Sequence, residues 1–160
     1  MSLYTDTPAV AIQVSRDIVV ASIQVDLSAD VLARLRDDLL HCVNQSGSSG
    51  VVFDLSGLDT LDSGEFNGLR QIITMCKIMG AESILVGLRP GVVSSLIEAG
   101  VDADGLRAAI NLDAAYAMLQ PEPDKEPDKE SEIETGSDDV ALADQVSPLL
   151  GPAQNSGEPS

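Results

Sequence analysis

Four acids and one serine crowd a short stretch of this sequence: Asp54, Asp59, Asp62, Ser63 and Glu65. Ser63 follows a buried-strand pattern, a loop and Asp62, which places it in the first turn of a helix, facing solvent. Free backbone N–H groups and the positive end of the helix dipole favour an added phosphate there by about 0.3–2 kcal/mol. A phosphoserine at this position is therefore expected to change the surface and leave the fold intact. Gly64 removes side-chain bulk beside the hydroxyl and would let a kinase or partner approach it closely. The same residues also read as plain capping, with Asp62 or Ser63 as the cap and Glu65 completing a capping-box-like arrangement. The local sequence leaves both readings open.

Other chemistries fit less well. Clustered acids at the end of a strand suggest a metal or a catalytic centre. A receiver-type phosphorylation site, however, needs an acidic pair closing the first strand, and Gln24-Val25-Asp26 supplies none. A serine hydrolase needs a Gly-x-Ser-x-Gly elbow with a histidine downstream, whereas the only histidine, His41, lies upstream and reads as a surface or half-buried helix residue. Gly87-Leu88-Arg89-Pro90-Gly91 lacks the lysine and glycine spacing of a phosphate loop and reads as a turn that launches a helix. Ser94 and Ser95, one turn further on, read as exposed helix surface. Cys42 and Cys76 have no ligand or redox spacing and read as buried free thiols. No cofactor or metal is expected, and no enzymatic activity.

The elements that position Ser63 follow from periodicity. Ala9–Val14 and Ile18–Val25 are β-rich runs joined by the polar turn Ser15-Arg16-Asp17. Ser28 reads as the cap of a helix reaching residue 46, with Val31, Leu32, Leu35, Leu39, Leu40 and Val43 at helical spacing and Gly47 beyond. Gly50–Leu55 is a continuous apolar run ended by an acid, a strand buried on both faces. A second helix starts near Asp62, steps through Phe66, Leu69, Ile72, Ile73, Cys76 and Met79, and stops at Gly80. Ser83–Gly87 is another buried strand, and Pro90 opens a helix to Ala99. Leu106–Ile110 is expected as a short last strand and Leu112–Leu119 as a closing helix. The whole predicts an α/β domain: a mixed, mostly parallel sheet packed by helices, with an N-terminal antiparallel strand pair at its edge.

Composition bounds the partners. The 160 residues suffice for one ordinary domain and carry a net charge of −17, with no Trp, two Tyr and two Phe. So acidic a chain repels nucleic-acid backbones and anionic lipid surfaces, and it offers few stacking platforms for bases. Residues 1–120 hold 15 acids against 7 bases, and residues 121–160 hold 11 against 2. The second segment opens on a repeated Glu-Pro-Asp-Lys theme, so the domain is expected over 1–120 and an acidic disordered tail over 121–160, with a transient helix around Val140 to Leu150. Neither a signal peptide nor an apolar span is read, which predicts a cytoplasmic protein.

The stretch Val51-Val52-Phe53-Asp54-Leu55-Ser56-Gly57-Leu58-Asp59-Thr60-Leu61-Asp62-Ser63-Gly64 resembles the signature of the STAS family: a strand, Asp-Leu-Ser, a short loop, then Asp-Ser at a helix start. Ile72–Ala81 and Val86–Val93 look like its RsbS branch, the short subunits of the stressosome, and the likeness spans about residues 9–119. Gly64-Glu65 stands where a more apolar pair is usual, and the acidic tail is extra. The resemblance implies a STAS-like fold, antagonism of an anti-sigma factor or related switch kinase, and phosphorylation of Ser63 within an interface formed with Asp59, Asp62, Gly64 and Glu65. Implied partners are an RsbT-like serine kinase, RsbR-like STAS subunits in homo- and hetero-oligomers, and a PP2C-type phosphatase. With the first strand expected near Ala9, no N-terminal sensor domain is expected, which fits the RsbS role. A free anti-anti-sigma factor is the alternative, and a small α/β enzyme using the acidic cluster a remote one.

Overall fold

The computed structural model describes residues 10–120; the expected tail, its transient helix and Ala9 lie outside them. Two strands, β1 (Val10–Ser15) and β2 (Ile18–Ile23), pair antiparallel through a two-residue turn at Arg16 and Asp17. Both turn residues have positive φ, 54° and 61°, the backbone twist that a tight hairpin requires. The Arg16 guanidinium lies 5.5 Å from the centre of the Tyr116 ring, a cation–π contact that steadies this turn.

Helix α1 (Ala29–Ser46) follows, its first turn capped by the Ser28 hydroxyl, which accepts from the Val31 N–H at 3.3 Å. Leu35, Leu39 and Val43 form its buried stripe, and Gly47, at φ +64°, closes it by donating to the Val43 carbonyl. Strand β3 (Gly50–Asp54), helix α2 (Ser63–Ile78), strand β4 (Glu82–Val86), helix α3 (Pro90–Glu98), strand β5 (Ala108–Ala109) and helix α4 (Leu112–Leu119) complete the order. The sheet runs β1-β2-β3-β4-β5, antiparallel only at the first pair. The mixed, mostly parallel α/β sheet expected from the sequence is therefore present.

Register divides the side chains cleanly. Val19, Ala21, Ile23, Val51, Phe53 and Leu85 join Leu35, Leu39, Phe66, Leu69, Ile72 and Val92 in the large core under α1, α2 and α3. Ile18, Val20, Val52, Ile84 and Val86 point to the opposite face and pack against Ala115, Leu112, Tyr116 and Leu119 of α4. Strands β2, β3 and β4 are thus buried on both sides, as their unbroken apolar runs require. A Cβ added at Gly50 would lie 2.9 Å from the Leu119 side chain, so glycine lets α4 sit against the sheet.

Two expected strands are shorter than their apolar runs. β2 ends at Ile23, which pairs with Val10, the first described residue. β5 spans only two residues of Leu106–Ile110: the Asn111 side chain caps α4, accepting from the Ala114 N–H at 2.9 Å, and the chain must leave the sheet to reach it.

Candidate functional site

The loop between β3 and α2 is held by a repeat of three. Leu55, Leu58 and Leu61 are buried at 0, 3 and 1% exposure, while Ser56, Gly57, Asp59, Thr60, Asp62 and Ser63 between and after them are exposed. Burying a leucine stabilises by about 1.5–3 kcal/mol, enough to set against the ordering of the polar residues around it. Two turns fold this pattern: the Asp54 carboxylate accepts from the Ser56 N–H at 3.0 Å, and the Leu58 N–H donates to the Leu55 carbonyl at 2.9 Å. The leucine period was present in the sequence and is the signal that the sequence reading of this loop missed.

At the end of the loop Asp62 caps α2. Its Oδ1 accepts from the Glu65 N–H at 2.8 Å, and Glu65 Oε2 accepts from the Asp62 N–H at 2.9 Å, a reciprocal capping box. Two of the helix's orphan donors are therefore satisfied without Ser63. Ser63 is the first helical residue, exposed, and among the described residues its hydroxyl makes no hydrogen bond. Of the two capping candidates the cap is Asp62. A Cβ at Gly64 would come 3.2 Å from Asp62 Oδ1, so glycine there also leaves the capping carboxylate its place.

The third side of the loop is α3. Arg89, just ahead of that helix, forms an ion pair with Asp59. A Cβ at Gly91 would stand 2.6 Å from the Asp59 carbonyl oxygen, so the helix start touches the loop backbone directly. Ser95 is half-buried and bonds Leu61, which corrects its reading as exposed helix surface; Ser94 is exposed as expected. Gly87, at φ +72°, brings the end of β4 against Ser56, its ideal Cβ position being 2.8 Å from the Ser56 nitrogen.

Asp59, Asp62, Ser63 and Gly64 are thus exposed along one edge of the loop and helix start, with Glu65 half-buried beside them and Asp54 half-buried at the end of β3. Among the described residues no group of three or more His, Cys, Asp or Glu is arranged to hold a metal ion. His41 is exposed on α1, on a different element from the serine. Cys42 is half-buried, and Cys76 lies inside the core, where burial pushes its thiol up to about 11. No helix among the described residues is long and apolar enough to cross a membrane.

A β-hairpin edge, three parallel strand pairings, helices on both faces and a capped helix starting at Asp-Ser define the class. The STAS domain profile matches residues 9–112, and the chain belongs to the STAS-domain family. Among solved structures it is similar to RsbS of Moorella thermoacetica in a serine-to-glutamate variant, with 28% identity over 69% of this chain and 93% of that one and a TM-score of 0.60. A chain from the molecular architecture of the stressosome, described as a signal integration and transduction hub, is 26% identical over 68% and 95%, TM-score 0.58. The anti-sigma factor antagonist SpoIIAA in its unphosphorylated form shares the fold at 16% identity over 69% and 96%, TM-score 0.55. No curated protein matches the sequence.

Proposed function

We propose that this chain is a phosphorylation-controlled protein-binding switch of the RsbS kind, with Ser63 as the phosphoacceptor. The observation that carries the reading is the exposed Ser63 hydroxyl at the first turn of α2, unbonded among the described residues, with the cap supplied by its neighbour Asp62. Family membership and the similarity to RsbS and to a stressosome chain support it.

In the unmodified state the edge formed by Asp59, Asp62, Gly64 and Glu65 captures an RsbT-like switch kinase, within an assembly that includes RsbR-like subunits. On stimulation the Ser63 Oγ attacks the γ-phosphorus of ATP held by the kinase. The bond from that phosphorus to ADP breaks, and the hydroxyl proton passes to a base of the kinase. A charge of about −1.5 to −2 then stands among three carboxylates, and like-charge crowding releases the kinase. A PP2C-type phosphatase restores the serine. The chain supplies the acceptor and the binding surface; the catalysis belongs to its partners. Residues 1–120 form the switch domain, with 121–160 as an acidic appendage.

Phosphosite mapping after incubation with ATP and the kinase should place the label on Ser63. Ser63→Ala should retain the kinase permanently and Ser63→Asp should weaken its binding; equal affinity of the two variants overturns the reading.

A further inference from the structure

The capping box is internal to α2 and does not by itself say where α2 points. The buried face of α2, with Phe66, Leu69, Ile72 and Cys76, sets where the helix lies, whereas its first turn is led in by the segment before it, and a directional tie on that segment comes from α3. The Ser95 hydroxyl lies 3.0 Å from the Leu61 carbonyl oxygen, to which it donates, and the Leu61 N–H donates back to it across 3.4 Å. Both backbone polar groups of one loop residue are therefore served by a single side chain 34 positions away. The hydroxyl has one proton and a second acceptor, the Val92 carbonyl of its own helix at 2.9 Å, so it can turn between loop and helix.

We propose that Ser95 is a positioning residue for Ser63: it holds the backbone of Leu61, and through it the orientation in which the first turn of α2 presents the phosphoacceptor. This rests on the reading of Ser63 as the acceptor. The leucine side chains of the loop are buried non-directionally and hold it down without setting its rotation, and its directional ties at Ser56, Leu58 and Asp59 act further from Ser63 than Leu61 does. Only Asp62 stands between Leu61 and Ser63, so a rotation of the Leu61 peptide is carried straight to the serine. Arg89 against Asp59 and Gly91 against the Asp59 carbonyl oxygen brace the same segment two residues earlier, so α3 grips the loop at both 59 and 61. A net hydrogen bond contributes modestly to stability, whereas the placement of a nucleophile weighs heavily on phosphoryl transfer. The signature of positioning is therefore a turnover defect out of proportion to the loss of stability.

The test uses the full chain with an RsbT-type kinase and radiolabelled ATP, alongside amide hydrogen exchange of the unmodified chain. Ser95→Ala should lower kcat for Ser63 labelling about tenfold with KM changed less than about twofold, and should speed exchange at Leu61 and across residues 62–65. Ser95→Thr, which keeps the hydroxyl, should recover most of both, and the exposed neighbour Ser94→Ala should change neither. Labelling of Ser95→Ala at the wild-type rate, a defect confined to KM, or unchanged exchange at Leu61 overturns the proposal. A wild-type chain that takes label at a residue other than Ser63 defeats the parent reading instead, and the exchange data then decide alone whether Ser95 orients the start of α2.

Discussion

Replacing Ser63 should disturb the domain less than replacing the residue before it, and the size of the difference follows from the cap. The Asp62 carboxylate accepts from the Glu65 N–H at 2.8 Å, and the Asp62 N–H donates to the Glu65 carboxylate at 2.9 Å. Asp62→Ala removes the first, at a cost of about 1 kcal/mol, or about 4–8 °C in the unfolding temperature of a domain this size. Ser63→Ala breaks no hydrogen bond among the described residues, and serine and alanine differ little at an exposed first helical position, so the expected shift is within about 2 °C. Ser63→Glu adds a charge that the helix N-terminus favours by about 0.3–1 kcal/mol. The neighbouring carboxylates Asp62 and Glu65 oppose it, and a like charge on the order of 7 Å off in a water-like dielectric costs about 0.6 kcal/mol before screening. The terms nearly cancel, and the net change should stay within about 1 kcal/mol and shrink further in 1 M salt, where the Debye length is about 3 Å. Thermal unfolding followed by circular dichroism measures all three variants. If Ser63→Ala costs as much as Asp62→Ala, the serine hydroxyl is part of the cap and is not free for transfer. If Ser63→Glu unfolds the domain at 25 °C, the separation of surface charge from fold is wrong.

Gly91→Ala gains helix propensity of about 1 kcal/mol but places a Cβ 2.6 Å from the Asp59 carbonyl oxygen, a clash of about 1–3 kcal/mol; a net loss of stability and faster proteolytic cleavage within residues 56–62 are expected, and a more stable variant would show that α3 does not press on the loop. The Cys76 thiol, pushed up to about 11 by burial, stays protonated in the folded chain where an exposed thiol would ionise. Because the folded state holds that proton more tightly, the contribution to stability is complete below about pH 9 and is lost as pH rises towards 11. Urea titrations across that window should show the decline and Cys76→Ala should flatten it, while alkylation of the native chain at pH 8 should reach Cys42 well before Cys76.

What could be read from the sequence divides by range. The caps at Ser28 and Asp62 join residues three apart, and the stripe Leu35, Leu39, Val43 repeats within one helix, so local rules reach them. Strand ends are different: Val25 continues the apolar run of β2 but is 39% exposed and lies beyond the strand, which ends at Ile23, a boundary that the apolar pattern does not mark. In the site the same boundary appears. Asp62, Ser63, Gly64 and Glu65 lie within four residues and their arrangement was legible. The ties Arg89 to Asp59 and Ser95 to Leu61 span 30 and 34 positions and exist only because β4 places α3 beside the loop. Ser95 on a nine-residue helix looks like any exposed serine until the loop it bonds is in place.

The sheet divides the domain into two territories, and on the proposed reading this bears on how a switch can release one partner and keep another. Ser63 begins a helix on the face of the large core, whereas α4 covers the opposite face of the same sheet. A helix layer on each side of a sheet separates their axes by about 20 Å. The field of a phosphate on an exposed serine decays over about 8–10 Å at physiological salt, so it is felt around Asp59, Asp62, Glu65 and Arg89 and hardly at Tyr116 or Met118. If modification leaves the fold unchanged, no second route carries the signal across the sheet. A kinase touching the start of α2 is therefore sensitive to phosphorylation, and any neighbouring subunit that packs on α4 is blind to it, so the kinase can leave while contacts on that face persist.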